Sequence, residues 1–219
     1  MKIFRHLTTT VGLFCVLIAA GAFALAVVTP FAVDAFTRVE LSSWNVVVSQ
    51  IARWFLFWVG IYLIHNLLPI AVAHGRTRRE FLAGASAFAV ALVLVMALFG
   101  WLGFLVEGGI YSAMDWGSDE HASPWAYFLM FLVWTFVGMF CAAAFDRYGS
   151  AGVFSVPVGF VLAIVPTVRI PGSGNIPFVR NVPSLLGAGW HLASLAAFVV
   201  ALGLTWAVAR TMPVRTRTS

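Results

Sequence analysis

From Phe81 to Val106 the chain carries no charged side chain, and a basic octapeptide, HGRTRREF (His74 to Phe81), separates that run from an apolar one before it. An unpartnered charge in hydrocarbon is costly, and roughly 20 apolar residues reach across about 30 Å of bilayer core. A chain divided in this way folds into membrane-crossing helices, because a backbone facing lipid must satisfy its own hydrogen bonds. The octapeptide holds three of the 13 Lys and Arg residues, Arg76, Arg78 and Arg79. Arginines directly after an apolar run mark the cytoplasmic end of the flanking spans, so this hinge sets the expected topology.

The remaining sequence agrees with that class. Of 219 residues, 62% are hydrophobic and 10% charged, and the mean hydropathy is +0.97, outside the range of soluble globular domains. Six apolar runs are expected as helices, over approximately 10–33, 50–73, 81–106, 124–145, 152–168 and 187–209. The expected fold is an all-α polytopic membrane protein with one transmembrane domain over 1–219. The longest connections, near 107–123 and 169–186, are too short for a soluble domain, which usually takes about 50 residues or more. A net charge of +5 does not point to nucleic acid, because the cations flank apolar runs instead of lining one amphipathic face. Cys15 and Cys141 fall inside expected spans with no CxxC or Cys/His spacing, so they suggest neither a disulfide nor a metal site.

Lys2 and Arg5 precede an apolar run from Val11 to Val28 that resembles a signal peptide. Its length and the five spans after it favour an uncleaved first helix, since removal would put the hinge arginines on the wrong side. The second span is expected from Trp54 to Ala73, with WNVVVSQIAR before it extending the helix or lying at the interface, and with Arg53 snorkelling outward. Pro69 predicts a kink above the hinge. The third span is expected to end on EGGIYSAMDWGSDEH, an acidic outer loop in which Glu107 is solvated. The fifth span is short and holds Pro157 and Pro166, which marks a broken or tilted helix. Pro171, Pro177 and Pro183 interrupt 169–186, which is expected as an interfacial or re-entrant hairpin.

Lys2, Arg5, Arg76, Arg78, Arg79, Arg147, Arg210, Arg215 and Arg217 fall on one side of this arrangement, and Arg38, Arg53, Arg169 and Arg180 on the other. Both termini are therefore expected in the cytoplasm, with the protein in the cell membrane. Trp44, Trp54, Trp101, Trp116, Trp125 and Trp190 cluster at expected outer ends, where an amphipathic indole prefers to sit.

Catalytic signatures are mostly missing. A P-loop needs a lysine at the phosphates, and the one lysine is Lys2, in the N-terminal flank. There is no HExxH and no GxSxG. No cofactor is expected. His65 and Asn66 form an intramembrane polar pair near the middle of the second span, with an interhelical hydrogen bond as the favoured role and no acid aligned for proton transfer. Ser173 and His191 form a weak serine and histidine pairing, because Ser173 lies in a proline-rich connection and not at a rigid helix end. In the hinge, Gly75 permits a sharp turn, Thr77 caps a short helix, Arg78 and Arg79 project charge at the membrane face, and Phe81 re-enters the apolar phase.

HGRTRREFLAG resembles the G-x-T-R-R-x-(F/Y) segment between the second and third helices of small six-span permeases of the ABC-2-like type, the membrane subunits of ABC transporters. DRYGSAG, with Arg147, Tyr148, Gly149 and Gly152, is similar to the R-(F/Y)-G segment of the same family. The resemblance implies an exporter half without its own ATPase, paired with a second permease chain as homodimer or heterodimer and joined to a separate ATP-binding subunit. By the same resemblance Gly75, Thr77, Arg78, Arg79 and Phe81 make the coupling contact, with His74 and Arg76 at variable positions beside them. Two other classes stay open from the residues alone: a carrier or channel working on its own, and an intramembrane enzyme using His65 or His191.

Overall fold

The computed structural model describes residues 8–34, 36, 42–116, 121–171 and 187–212. Among them all regular structure is helical. Helix α1 is Leu13–Asp34, entered through a π-helical turn at Thr8–Gly12. Helix α2 runs Ser43–Ala73, 31 residues, with π-helical turns at Val47–Ile51 and Leu63–Leu67. Helix α3 is Arg78–Met114 and α4 is Pro124–Tyr148. A 3-10 stretch, Gly149–Phe154, leads into α5, Ser155–Thr167, and α6 is Trp190–Ala209. Five helical stretches are long and apolar enough to cross a membrane: α1, α2, α3, the continuous stretch Pro124–Thr167, and α6.

Local chemistry sets the ends. Ser42 caps α2 by accepting from the Asn45 N–H at 2.9 Å, and Ser123 caps α4 ahead of a proline that needs no partner in the first turn. Gly149 ends α4 at φ +62°, ψ −129°, a conformation that a Cβ would strain. The chain then doubles back. The Cys141 thiol donates to the Ser155 carbonyl, Gly159 lies against Val137 and Cys141, and the Trp134 indole N–H donates to Thr167 Oγ1 at 3.0 Å. Helix α5 therefore runs antiparallel along α4 and is 13 residues long. Pro166 near its end fits the short helix expected there.

Helix α4 is the axis of the fold. Every residue from Leu129 to Ala144 is buried, the pattern of a helix apolar on all sides and surrounded by others. It packs against α2, α3, α5 and α6. Its approach to α2 is set by two glycines: a Cβ on Gly60 would sit 2.1 Å from the Thr135 carbonyl oxygen, and one on Gly138 would sit 2.1 Å from that of Phe57. The two backbones touch where side chains would hold them apart.

Three boundaries differ from the sequence expectation. WNVVVSQIAR is part of α2, which starts at Ser43. Helix α3 continues through EGGIYSAM to Met114 and ends at Asp115 in the left-handed region, φ 55°. Thr77 caps α3 itself, and no separate short helix lies between α2 and α3 among the described residues. Tryptophan also departs from a simple interfacial belt. Trp44 and Trp190 are buried, and their indole N–H groups donate to the carbonyls of Gly100 at 2.8 Å and Val165 at 3.0 Å. Trp116 donates to Asp34 at 3.1 Å and ties the end of α1 to that of α3. Each ring fills space between helices while its polar edge satisfies a backbone or side-chain acceptor. The greater part of the connection expected as a hairpin, 172–186, lies outside the described residues.

Replacing Gly60 or Gly138 by alanine forces a carbonyl contact that only separation of α2 from α4 relieves. Each change is expected to cost about 1–3 kcal/mol as overpacking, read as a lower unfolding temperature in detergent micelles, whereas Gly21→Ala, with open space around its Cβ position, leaves the midpoint in place.

Candidate functional site

The hinge is a short exposed turn between two long helices. Gly75 has φ +76°, which turns the chain out of α2 without the penalty a side chain would bring. Its N–H donates to the Val72 carbonyl at 2.9 Å, and the His74 Nδ1 lies 2.8 Å from the Ile70 carbonyl. Thr77 and Glu80 form a capping box: Thr77 Oγ1 accepts from the Glu80 N–H at 3.2 Å, and Glu80 accepts from the Thr77 N–H at 3.3 Å. Two of the N–H groups at the start of α3 are thereby satisfied.

Gly75, Arg76, Thr77 and Arg79 are exposed, Arg78 is half-buried, and Phe81 is buried in the core. Phe81 therefore packs into the core beneath the hinge. Arg78 turns sideways and donates to the Arg210 carbonyl at 3.3 Å, at the carboxyl end of α6, where a cation also meets the negative end of the helix dipole. Arg147 bonds Thr211 in the same place. The hinge, the end of α4 and the end of α6 form one basic face.

Beside that face, His65 Nδ1 lies 2.7 Å from Asp146 Oδ1. The sequence expectation put no acid in line with His65, and the structure corrects it: Asp146 is two residues before the end of α4. His65 and Asn66 both lie in the π-helical turn Leu63–Leu67, nearer the hinge than mid-span. Proline at 69 cannot donate to the carbonyl of residue 65, and the wider turn absorbs the irregularity. The pair is not sealed in, with the His65 side chain 43% exposed and that of Asp146 21%.

Two charges expected at the surface are inside. Glu107 is 8% exposed; its carboxylate accepts from Ser42 Oγ at 2.6 Å and from the Trp44 N–H at 3.0 Å. It is an external cap on α2, an anion at a helix amino end, and not part of a solvated loop. Gly103 admits the Trp44 ring beside it, since a Cβ there would meet the indole at 2.2 Å. Arg53, expected to snorkel outward, is also 8% exposed. It lies in the first turn after the π-helical stretch Val47–Ile51, on the inward stripe with Ser49, Leu56 and Gly60. Its Nη2 donates to Gln50, and its charge lies 5.3 Å from the Trp134 ring centre.

His191 lies at the opposite end of the bundle, against the Trp190 ring, in an open cleft of about 400 Å³ with Ser123, Ala126 and Arg169. The length of α4 separates Ser123 from Asp146, so His65 and His191 are roughly 35 Å apart at 1.5 Å per residue and share no site. Ser173 lies outside the described residues. Among the described residues no three His, Cys, Asp or Glu side chains gather as metal ligands.

No protein-family model, curated protein or solved structure matches the chain. What it does is read from its own side chains.

The sequence reading missed Asp146 as the partner of His65, and Arg53 and Glu107 as buried groups. For Arg53 the signal was available in the spacing, because positions 49, 53, 56 and 60 share one helical face. Glu107→Ala leaves the Ser42 hydroxyl and the Trp44 N–H unpaired in a buried place and is expected to cost about 1–3 kcal/mol. Thermal unfolding in micelles checks it, with Glu107→Gln, which keeps acceptor capacity, falling between the alanine variant and the wild type.

Proposed function

We propose that this chain is the membrane subunit of an ATP-driven transporter, an exporter, worked by a separate ATP-binding subunit that bears on the basic face. The observation that carries the reading is the hinge: an exposed, capped turn whose Arg78 holds the end of α6. A load applied to it reaches α2, α3 and α6 together, which a topology signal alone does not require. In this reading α5, which returns antiparallel along α4, counts as a sixth crossing, and the basic face and both termini are assigned to the cytoplasm by the positive-inside rule. Apolar side chains exposed along α1, α5 and α6 provide surface for lipid and for a second permease chain.

A second reading, a carrier working on its own, draws on the His65–Asp146 pair, a polar contact between two spans beside the basic face. Transport by the purified chain in liposomes without ATP would favour that reading.

The first reading is tested by affinity purification of the tagged protein from its native membrane, with a P-loop ATPase expected to co-purify. The Arg78→Glu, Arg79→Glu double variant is expected to lower substrate-stimulated ATP hydrolysis by about an order of magnitude, the scale of a disrupted charged contact, while its amount in the membrane stays constant. A purified complex containing no ATPase overturns the reading.

A further inference from the structure

Arg53 is a buried cation with most of its donors idle. Among the described residues the ion pair present is His65–Asp146, and both oxygens of Glu107 are taken by Ser42 and Trp44. Arg53 Nε and Nη1 have no hydrogen-bond partner. Its contacts are the Gln50 amide oxygen and the Trp134 face. A guanidinium keeps its proton, so it cannot escape burial by becoming neutral as a lysine or histidine can. A charge buried without a counter-charge is among the least favourable features a fold can keep, and within a membrane span it marks a place where an opposite charge is to be held.

The surroundings indicate the kind of anion. Arginine donors suit paired acceptor oxygens, those of a carboxylate or a phosphate. Beside it Trp54, Phe57 and Trp134 pack edge to face, the two indoles with centroids 4.8 Å apart. Trp54 is 45% exposed and Trp58 63% exposed on the outer surface of α2. An aromatic wall therefore leads from the lipid-facing surface to the ring beneath the guanidinium. We propose that Arg53, with Gln50 and the Trp54–Trp134 wall, is a binding site for the carboxylate or phosphate group of a membrane-borne amphiphile. The site goes beyond the proposed coupling to an ATPase and requires none.

The test uses the full chain purified in dodecyl maltoside, which carries no charged head group. Unfolding midpoints are measured with dodecanoate, dodecyl phosphate, dodecanol and inorganic phosphate, and quenching of tryptophan fluorescence by a brominated dodecanoate reports binding separately. The two acidic amphiphiles are expected to raise the wild-type midpoint by several degrees and dodecanol to leave it unchanged. Quenching is expected to saturate and to be reversed by dodecyl phosphate. An equal response to inorganic phosphate would support the anion site and assign it to a free anion in place of a lipid-like one. Arg53→Met, which removes the unpaired charge and fills the same space, is expected to raise the midpoint without ligand and to abolish both responses; Arg53→Lys keeps the charge and weakens them. A wild-type protein that responds to none of the anions overturns the site whatever the variants do. So does an Arg53→Met protein that responds as the wild type does.

Discussion

The contact between α2 and α4 through Gly60 and Gly138 is the constraint from which the rest of the structure follows. In lipid no hydrophobic force draws one apolar helix to another, so close packing and polar bonds must do that work. Two glycines let the backbones meet, and the meeting fixes α4 deeply enough that Leu129 through Ala144 are all enclosed. The polar groups on α4 are then obliged to find partners inside the bundle. Thr135 donates to its own helix at Phe131, Thr205 of α6 bonds Phe136, and Trp134 bonds Thr167. The last two bonds tie α6 and α5 to the axis, and α5 is held to it although too short to be stable in isolation.

What the sequence could reveal depended on whether a residue's role was set by its neighbours in the chain or by another helix. Thr77 and Glu80 stand three apart at the start of an apolar run, and that pattern specifies a capping box locally. Gly75 was legible for the same reason. Glu107 was not, because the rule that sends charge to the interface treats each span as alone. The same rule sent Arg53 outward although its spacing with Ser49, Leu56 and Gly60 put it on one helical face with them. A partner helix changes the balance: Ser42 and the start of α2 give Glu107 better bonds than water at the end of α3 would. The Gly108–Gly109 pair after it suggested a loop, yet the helix carries on to Met114. Trp44 was misplaced likewise, since Gly100 and Gly103, which admit its ring, lie in another span. The length of the hinge helix was also beyond local rules, because whether a cap opens one turn or ten is decided by what the helix packs against.

The two π-helical turns of α2 join the candidate sites to this frame. One precedes Arg53 and the other holds His65 and Asn66, with the Gly60 contact between them. A widened turn shifts the register of the helix face by inserting a residue, which is how a charge comes to lie on an inward stripe. At the second turn the backbone ladder is already interrupted ahead of Pro69, and the segment from there to Ala73 is only six residues long. The helix is thus clamped at its centre and looser towards the hinge.

That division limits how the two ends of α2 can communicate. The turn before Pro69, where the backbone ladder is interrupted, lies between the hinge and the Gly60 contact, and a side-chain contact bridges it to the axis. His65 and Asp146 provide the bridge, because one is in the turn and the other is at the end of α4. Arg147, the next residue, holds the end of α6 through Thr211, and Arg78 holds it from the hinge. The hinge is therefore tied to α4 and α6, and the next contact along α2 is its Gly60 seam with α4, the two helices whose facing surfaces hold Arg53 and Trp134. The anion proposed for Arg53 would lie against the same two helices, α2 and α4, to which the hinge is tied.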